Sequence, residues 1–176
     1  MKEVALRAVE PLDLELLYAW ENSPEVWEHG DVLAPFSRHA LQQYIERAQQ
    51  EDIYALRQLR LMVDLVNSDT SRITIGTVDL YDFEPQHSRA GVGVLIFEKT
   101  FRRQGYATQA LKQLMDYAFG TLHLHQLYCS IAESNTASLA LFKQLGFEVT
   151  GVRKEWRKKS QTFENEIFMQ MLKAES

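Results

Sequence analysis

The sequence is poor in cysteine, whose disulfides and zinc sites stabilise many proteins that lack a large hydrophobic core. Only one of its 176 residues is a cysteine, Cys129, which excludes an intramolecular disulfide and a zinc site built on cysteines. No apolar run approaches the roughly 20 residues that span a membrane, and the N-terminus lacks an apolar segment of signal-peptide length. We therefore expect a cytoplasmic protein without a membrane contact, in which Cys129 is a small buried core residue.

Basic residues are outnumbered by acidic residues. The sequence has 19 Lys and Arg against 24 Asp and Glu, a formal net charge of −5, which disfavours binding to DNA. One basic run, 153–159, surrounds Trp156. We interpret it as the solvated edge of a hairpin, with a contact to RNA or the ribosome as the alternative. His123 and His125 lie two residues apart without further ligands nearby, so we expect no metal.

With 8 glycines and 4 prolines, the chain divides into regular elements without a linker or a repeat. Apolar periodicity predicts the order strand, two helices, three strands, helix, strand, helix, two strands. The predicted strands are 4–9, 59–65, 73–79, 91–97, 127–131, 147–156 and 163–171. The fourth is apolar on both faces, which is typical of a central strand. We expect a single α/β domain over residues 1–176, with a mixed, mostly antiparallel sheet of about seven strands flanked by about four helices.

A basic turn that contains a glycine joins the fourth strand to the next helix. Its residues are Arg102, Arg103, Gln104, Gly105, Tyr106, Ala107 and Thr108. The first N–H groups of a helix have no helical acceptor and carry partial positive charge, and Gly105 allows a ligand to approach the backbone closely. The turn therefore favours binding of a pyrophosphate. The alternative is an ordinary capped helix with solvated arginines.

Several short motifs resemble those of one enzyme superfamily. Arg-x-x-Gly-x-Ala at 102–107 is similar to the acetyl-CoA pyrophosphate motif of the GNAT N-acetyltransferases. The segments 135–138 and 144–147 resemble that superfamily's Asn-x-x-Ser helix and Leu-Gly-Phe turn, and Arg7 followed by Asp13 also fits. The nearest branch contains the ribosomal-protein N-terminal acetyltransferases and spermidine acetyltransferase. The resemblance covers nearly the whole chain.

The resemblance implies a fold and a cofactor. The sheet would be splayed between its fourth and fifth strands, and the pantetheine of acetyl-CoA would lie in the gap. The expected cofactor-binding residues are the 102–108 turn and Leu95, Ile96, Phe97, Asn135 and Phe142. No metal takes part in this chemistry.

The resemblance also implies direct attack on the thioester by a neutral primary amine, such as a polyamine, a protein N-terminus or another small amine. The protein would be a monomer or a homodimer. The alternative is a relative that binds acyl-CoA without catalysis, as a sensor or an interaction module.

Two departures from the family pattern affect the catalytic residues. Many relatives have a tyrosine as the acid for the thiolate where this chain has Phe142, which cannot donate a proton, so Ser138 is the substitute. Many relatives also have a glutamate on the fourth strand, where this chain has Gly91. The candidate bases are Asp79, Glu84 and Glu155. We prefer Glu155 because the final hairpin borders the acceptor cleft in this fold.

Negative charge is concentrated in the first long loop, at Glu25, Glu28 and Asp31. In the family's fold this loop lines the acceptor side, where it would suit a cationic amine such as a polyamine. The alternative is a loop that simply faces solvent.

Overall fold

The computed structural model describes residues 2–25, 34–66, 71–159 and 161–174, which contain seven strands and five α-helices. The strands are β1 (Glu3–Ala8), β2 (Leu59–Val66), β3 (Arg72–Glu84), β4 (Arg89–Ile96), β5 (Gln126–Ala132), β6 (Glu148–Lys159) and β7 (Thr162–Leu172). The helices are α1 (Leu14–Glu21), α2 (Arg38–Gln50), α3 (Ile53–Leu56), α4 (Tyr106–Gly120) and α5 (Thr136–Gln144).

The seven strands form one sheet in the order β1-β2-β3-β4-β5-β7-β6. Every neighbouring pair is antiparallel except β4 and β5, which are parallel and joined by the crossover through α4. The predicted mixed, mostly antiparallel sheet is confirmed. The predicted central strand is confirmed as well, since β4 has three strands on either side.

The sheet is split between β4 and β5. The two strands pair over three positions only, from Arg89 opposite Gln126 to Gly91 opposite Tyr128. Beyond these pairs, β4 continues to Ile96 and β5 to Ala132 without pairing to each other. The expected splay between the fourth and fifth strands is therefore confirmed.

Helices cover both faces of the sheet. The main core packs α4 and α5 against one face and includes Cys129, which is buried as predicted. A smaller core packs Leu17 and Trp20 of α1 and Leu41 and Ile45 of α2 against the sheet. None of the described helices is long and apolar enough to cross a membrane.

Two helical segments go beyond the helices that the sequence predicted. A 3-10 turn at Pro11–Asp13 precedes α1. The short α3 was not predicted, because four residues are too few to show a helical period. It forms because the Asp52 carboxylate accepts hydrogen bonds from the N–H groups of Tyr54 and Ala55.

A buried ion-pair network joins β1 to the start of α1 and to β2. The Arg7 guanidinium donates to both carboxylate oxygens of Asp13, at 2.7 and 2.8 Å, and to Asp64 at 2.9 Å. Asp64 is only 1% exposed, so it depends on this guanidinium and on the hydroxyl of Thr74 for its hydrogen bonds. The spacing of Arg7 and Asp13 thus has a structural role.

Candidate active site

The split opens into a cleft of about 1470 Å³ that is lined from both halves of the sheet. From one half come β2, β3 and β4, with Glu21 of α1 and Tyr44 of α2. From the other come β5, β6 and β7, with Ser138 and Phe142 of α5. Because α1 and α2 lie on one face and α5 on the other, the cleft passes through the sheet.

The backbone of β4 alternates between pairing with β3 and facing the gap. The Phe97 N–H donates to the Ile75 carbonyl at 2.9 Å, and the Leu95 carbonyl lies so close to Gly76 that a Cβ there would overlap it. Leu95 and Phe97 therefore direct their backbone groups to β3. In an antiparallel ladder the residues between them face the other way, so Val94 and Ile96 face the gap.

The N-terminus of α4 follows this gap. Its first helical hydrogen bond runs from Gln109 N–H to the Gly105 carbonyl, so the N–H groups of residues 106–108 have no helical acceptor. Gly105 has a φ of 81°, a left-handed conformation that strains any residue with a Cβ. Arg103 also has a positive φ and is exposed. The turn therefore presents unpaired donors and a cation together.

Arg102 points away from this turn. Its guanidinium donates to the carbonyls of Ile96, at 2.8 Å, and Phe97, at 2.7 Å, and pairs with Glu25. Arg102 thus anchors the end of β4. Among the described residues, Arg103 has no ion-pair partner, so it is the arginine of the turn that remains available to a ligand.

Helix α5 begins at the cleft. The Asn135 side chain caps it by accepting a hydrogen bond from Ser138 N–H at 3.1 Å. Ser138 is half-buried and lines the cleft with Asn135. Phe142 also lines the cleft, and its ring packs edge-on against Phe147 at 5.0 Å.

One side of the cleft carries the acidic wall, which consists of Glu21, Arg60, Asp79 and Asp82. Arg60 stands opposite Asp79 in the β2–β3 pairing and donates to it at 2.6 Å, and it also pairs with Glu21. Burial by itself would lower the pKa of the Arg60 guanidinium, but the two carboxylates raise it. Arg60 therefore stays charged and fixes both carboxylates.

The opposite side carries the basic wall, which consists of Arg153, Arg157, Lys158, Lys159, Glu164 and Glu166. Glu166, 5% exposed, accepts hydrogen bonds from Arg153 at 2.8 Å and Arg157 at 3.2 Å. A bulge in β6 between the two arginines brings both to this one carboxylate. The basic run lies on the exposed edge strand β6 of the final hairpin, as interpreted, and these two arginines also line the cleft.

The chain matches a known protein family over most of its length. The family model described as "Acetyltransferase (GNAT) domain" matches residues 3–148, well over half of the chain. The protein belongs to the GNAT acetyltransferase family.

Similar proteins cover most of this GNAT chain. It is 24% identical over 157 residues to the uncharacterized N-acetyltransferase p20 of Bacillus licheniformis, covering 89% of this chain and 85% of p20. It is 24% identical over 149 residues to spermidine N(1)-acetyltransferase of Vibrio cholerae, covering 85% and 81%. The crystal structure of the Vibrio cholerae spermidine N-acetyltransferase with CoA and spermine matches with a TM-score of 0.83 at 22% identity, covering 96% of this chain and 95% of that one.

The structure brings part of the predicted GNAT cofactor set to the cleft. Leu95, Asn135 and Phe142 line it, and so does Ser138, the residue predicted as the acid. The side chains of Ile96 and Phe97 do not. Phe97 stacks on Trp20 with ring centroids 5.2 Å apart. The turn at 102–108 lies outside the lining residues, beyond the end of β4.

The three candidate bases occupy different places. Asp79 lines the cleft. Glu84 is paired with Arg89 at 3.0 Å outside it. Glu155, which we preferred from the sequence, is an exposed residue of the β6 bulge that does not line the cleft, with a positive φ and its N–H donated to Asn165. The bulge turns Glu155 away, a local irregularity without a periodic signal in the sequence.

Tyr81 was not identified from the sequence. Its ring covers Gly91, where a Cβ would overlap it, and it lines the cleft. Burial raises the pKa of the Tyr81 phenol, and the nearby Cys129 raises it further. Tyr81 thus fills the space beside Gly91, the position at which the family resemblance led us to expect a glutamate. Glycine at 91 was the available signal, because it leaves room for a neighbour.

Of the three acidic residues in the first long loop, only Glu25 lies within the described residues. The Glu25 carboxylate pairs with Arg102, and one of its oxygens lies 3.6 Å from the Lys99 ammonium nitrogen, so its negative charge is already paired within the protein. Glu28 and Asp31 lie outside the described residues. No cluster of three or more His, Cys, Asp or Glu side chains that could hold a metal ion occurs in the described ranges.

Proposed function

We propose that the protein transfers the acetyl group of acetyl-CoA to a primary amine by direct attack in the cleft. The observation that carries this proposal is the three-residue pairing of β4 and β5, followed at the end of β4 by the free N-terminus of α4. A pantetheine arm fits a gap edged by unpaired strand groups, and a pyrophosphate fits unpaired helix N–H groups. The family membership supports the same chemistry.

The residues that would hold acetyl-CoA differ slightly from those the sequence suggested. Val94 and Ile96 face the gap, and their N–H groups and the Val94 carbonyl would hydrogen-bond the pantetheine, because the Ile96 carbonyl already accepts from Arg102. One of their N–H groups would polarise the thioester carbonyl, because a fixed donor in a water-poor cleft stabilises developing negative charge. Arg103 and the N–H groups of residues 106–108 would bind the pyrophosphate, while Arg102 would position the turn.

Two proton transfers complete the reaction. The amine nitrogen forms a bond to the carbonyl carbon, the carbon–sulfur bond breaks, and the thiolate leaves. We assign two roles to Asp79, the candidate base that lines the cleft. Its carboxylate accepts a hydrogen bond from the attacking amine, and it takes up the proton of that amine through water. Ser138, on the opposite half of the sheet, would supply a proton to the thiolate through water.

The proposed acceptor is a primary amine of one of three classes: a polyamine, a protein N-terminus or another small amine. The relative that is named spermidine N(1)-acetyltransferase makes a polyamine the first compound to assay. Since Arg153 and Arg157 are held toward the cleft by Glu166, we do not retain the contact between the basic run and the ribosome.

The test is a screen for CoA release with polyamines, peptides with free N-termini, and amino acids, alongside calorimetric binding of acetyl-CoA. We expect amine-dependent CoA release that falls at least tenfold in Asp79→Asn. The control Asp116→Asn changes an exposed carboxylate on α4 and should retain activity. Tight binding of acetyl-CoA with no release for any amine would favour the non-catalytic sensor instead.

A further inference from the structure

The two walls of the cleft carry opposite net charge. Among the described residues, the acidic wall has three carboxylates and one guanidinium, a formal charge of −2. The basic wall has four cationic side chains and two carboxylates, a formal charge of +2. The walls stand on opposite sides of the split, on β2 and β3 with α1 and on β6 with β7. A ligand in the cleft therefore lies between a negative and a positive surface.

The two arginines of the basic wall are held in fixed positions by their neighbours. The wall's central carboxylate, Glu166, is buried and accepts hydrogen bonds from two guanidinium groups, so both arginines are held at one fixed place. Arg153 is held further by the rings of Trp156, at 5.2 Å, and Phe168, at 5.6 Å. Arginines fixed in this way have already lost part of their side-chain freedom. They can present planar donors to a carboxylate at a smaller entropic cost than mobile surface lysines.

Small residues separate each wall from the gap. In the strand pairing, Arg60 and Asp79 are followed across the sheet by Gly93, which edges the gap on β4. On the other side, Ala132 edges the gap on β5 and is followed by Glu166 and then Arg153. The backbone of each arginine thus lies two strand spacings from the strand that edges the gap, about 9.5 Å.

We infer that the acceptor carries a carboxylate several bonds from its primary amine, as an ω-amino acid or a short acidic peptide does. This inference rests on the proposed function and narrows its acceptor. The amine lies in the gap beside Asp79, and the carboxylate is bound by Arg153 and Arg157 of the basic wall. A polyamine of the same length places a second ammonium group against that wall, where like charges repel.

A matched series of five-carbon amines tests the inference. Pentan-1-amine, 5-aminopentanoate and 1,5-diaminopentane share the reacting amine and differ only in the far group, which is neutral, anionic or cationic. We expect kcat/KM for 5-aminopentanoate to exceed that for 1,5-diaminopentane at least tenfold, with pentan-1-amine between them. We also expect calorimetry to detect 5-aminopentanoate on the CoA-loaded protein.

Variants of the basic wall test whether its arginines cause the preference for an amine that carries a carboxylate. Arg153→Gln and Arg157→Gln should each lower kcat/KM for 5-aminopentanoate about tenfold and that for pentan-1-amine less than threefold. Arg153→Lys should recover part of the loss, because it keeps the charge. Arg47→Gln, which removes an exposed arginine on α2, should change neither value.

The outcomes separate the inference from the function on which it rests. If 1,5-diaminopentane or spermidine is acetylated as efficiently as 5-aminopentanoate, the inference is overturned while the acetyltransferase function stands. An equal loss for the neutral and the anionic amine in Arg153→Gln would overturn it too, because the arginine would then be only structural. If no amine releases CoA, the proposed function itself fails.

Discussion

The ring of Tyr81 lies directly over Gly91, its cross-strand partner in the β3–β4 pairing. This contact makes position 91 intolerant of a side chain and brings a phenol into the cleft. We expect Gly91→Ala to lower the free energy of unfolding by about 1–3 kcal/mol, because the added methyl must displace a packed ring. Denaturant unfolding measures this change.

A double-mutant cycle tests the cause of that loss. In a Tyr81→Ala background, Gly91→Ala should change stability by less than about 0.5 kcal/mol. The matched control is Gly93→Ala, two residues along the strand, where a Cβ would lie 3.9 Å from the same ring and has room. Equal effects of Gly91→Ala in both backgrounds would show that Tyr81 is not the obstacle.

The two arginines of the glycine turn should behave differently. Arg103→Ala should weaken acetyl-CoA binding about three- to tenfold, as expected for one partly solvated charge near a phosphate, and leave the melting temperature unchanged. Arg102→Ala should lower the melting temperature by several degrees, because two carbonyls and Glu25 lose their donor. Calorimetry and thermal unfolding of the two variants measure the difference. If Arg102→Ala has wild-type stability, its anchoring role is wrong.

Gly105→Val addresses the same turn through the backbone. A φ of 81° strains valine, and its side chain blocks close approach of a phosphate. Acetyl-CoA affinity should fall at least tenfold, about 1.4 kcal/mol, in a protein whose circular dichroism spectrum is unchanged. A folded Gly105→Val protein with wild-type affinity would remove this turn from the cofactor site.

Ser138 and Phe142 together test the proton donor. Ser138→Ala should reduce turnover about 10- to 100-fold with acetyl-CoA affinity within twofold of wild type, whereas Ser138→Thr, which keeps a hydroxyl, should lose less. Phe142→Tyr, introduced into Ser138→Ala, should recover turnover because it places a phenol in the cleft. Wild-type turnover of Ser138→Ala between pH 7 and 9 would mean that the thiolate leaves without help from this serine.

The Arg7–Asp13 pair predicts a pH dependence of stability. Burial would raise the pKa of Asp13, but its hydrogen bonds with Arg7 and with Glu10 N–H lower it overall. A carboxyl whose pKa is lowered by folding stabilises the fold above its unfolded pKa, near 4, and this contribution disappears as the pH falls through the folded value. Asp13→Asn should therefore cost about 1.5–3 kcal/mol at pH 7, and the difference should shrink below about pH 4. A pH-independent difference, or an equal loss in Asp116→Asn, would contradict this account.

The sequence predicted the elements better than their local irregularities. Within the part of the chain that the structure describes, the alternating and helical patterns identified the seven strands and four of the five helices given above, because side-chain burial in regular elements has a fixed period. The Arg-x-x-Gly-x-Ala motif indicated the family. The β6 bulge that turns Glu155 away and the cross-strand contact of Tyr81 with Gly91 depend on how strands pair, which no local pattern contains.

The sequence also could not identify which backbone groups would contact the proposed cofactor. The family resemblance pointed to the end of β4, and Leu95, Ile96 and Phe97 do lie there. Which backbone groups face the gap depends on which residues pair with β3, and this pairing selects Val94 and Ile96. Arg102 likewise matches the motif, but its side chain binds the strand end, a contact that requires the folded turn.

The three-residue pairing of β4 and β5 has a consequence for how the protein exchanges its amide hydrogens with solvent. The amides of Gly93 and Leu95 are held by β3, while those of Val94 and Ile96 open onto the gap, so protection should alternate residue by residue along one strand. A ligand in the gap would slow only the second set. Exchange rates at two neighbouring amides therefore report occupancy of the cleft without any assay of turnover.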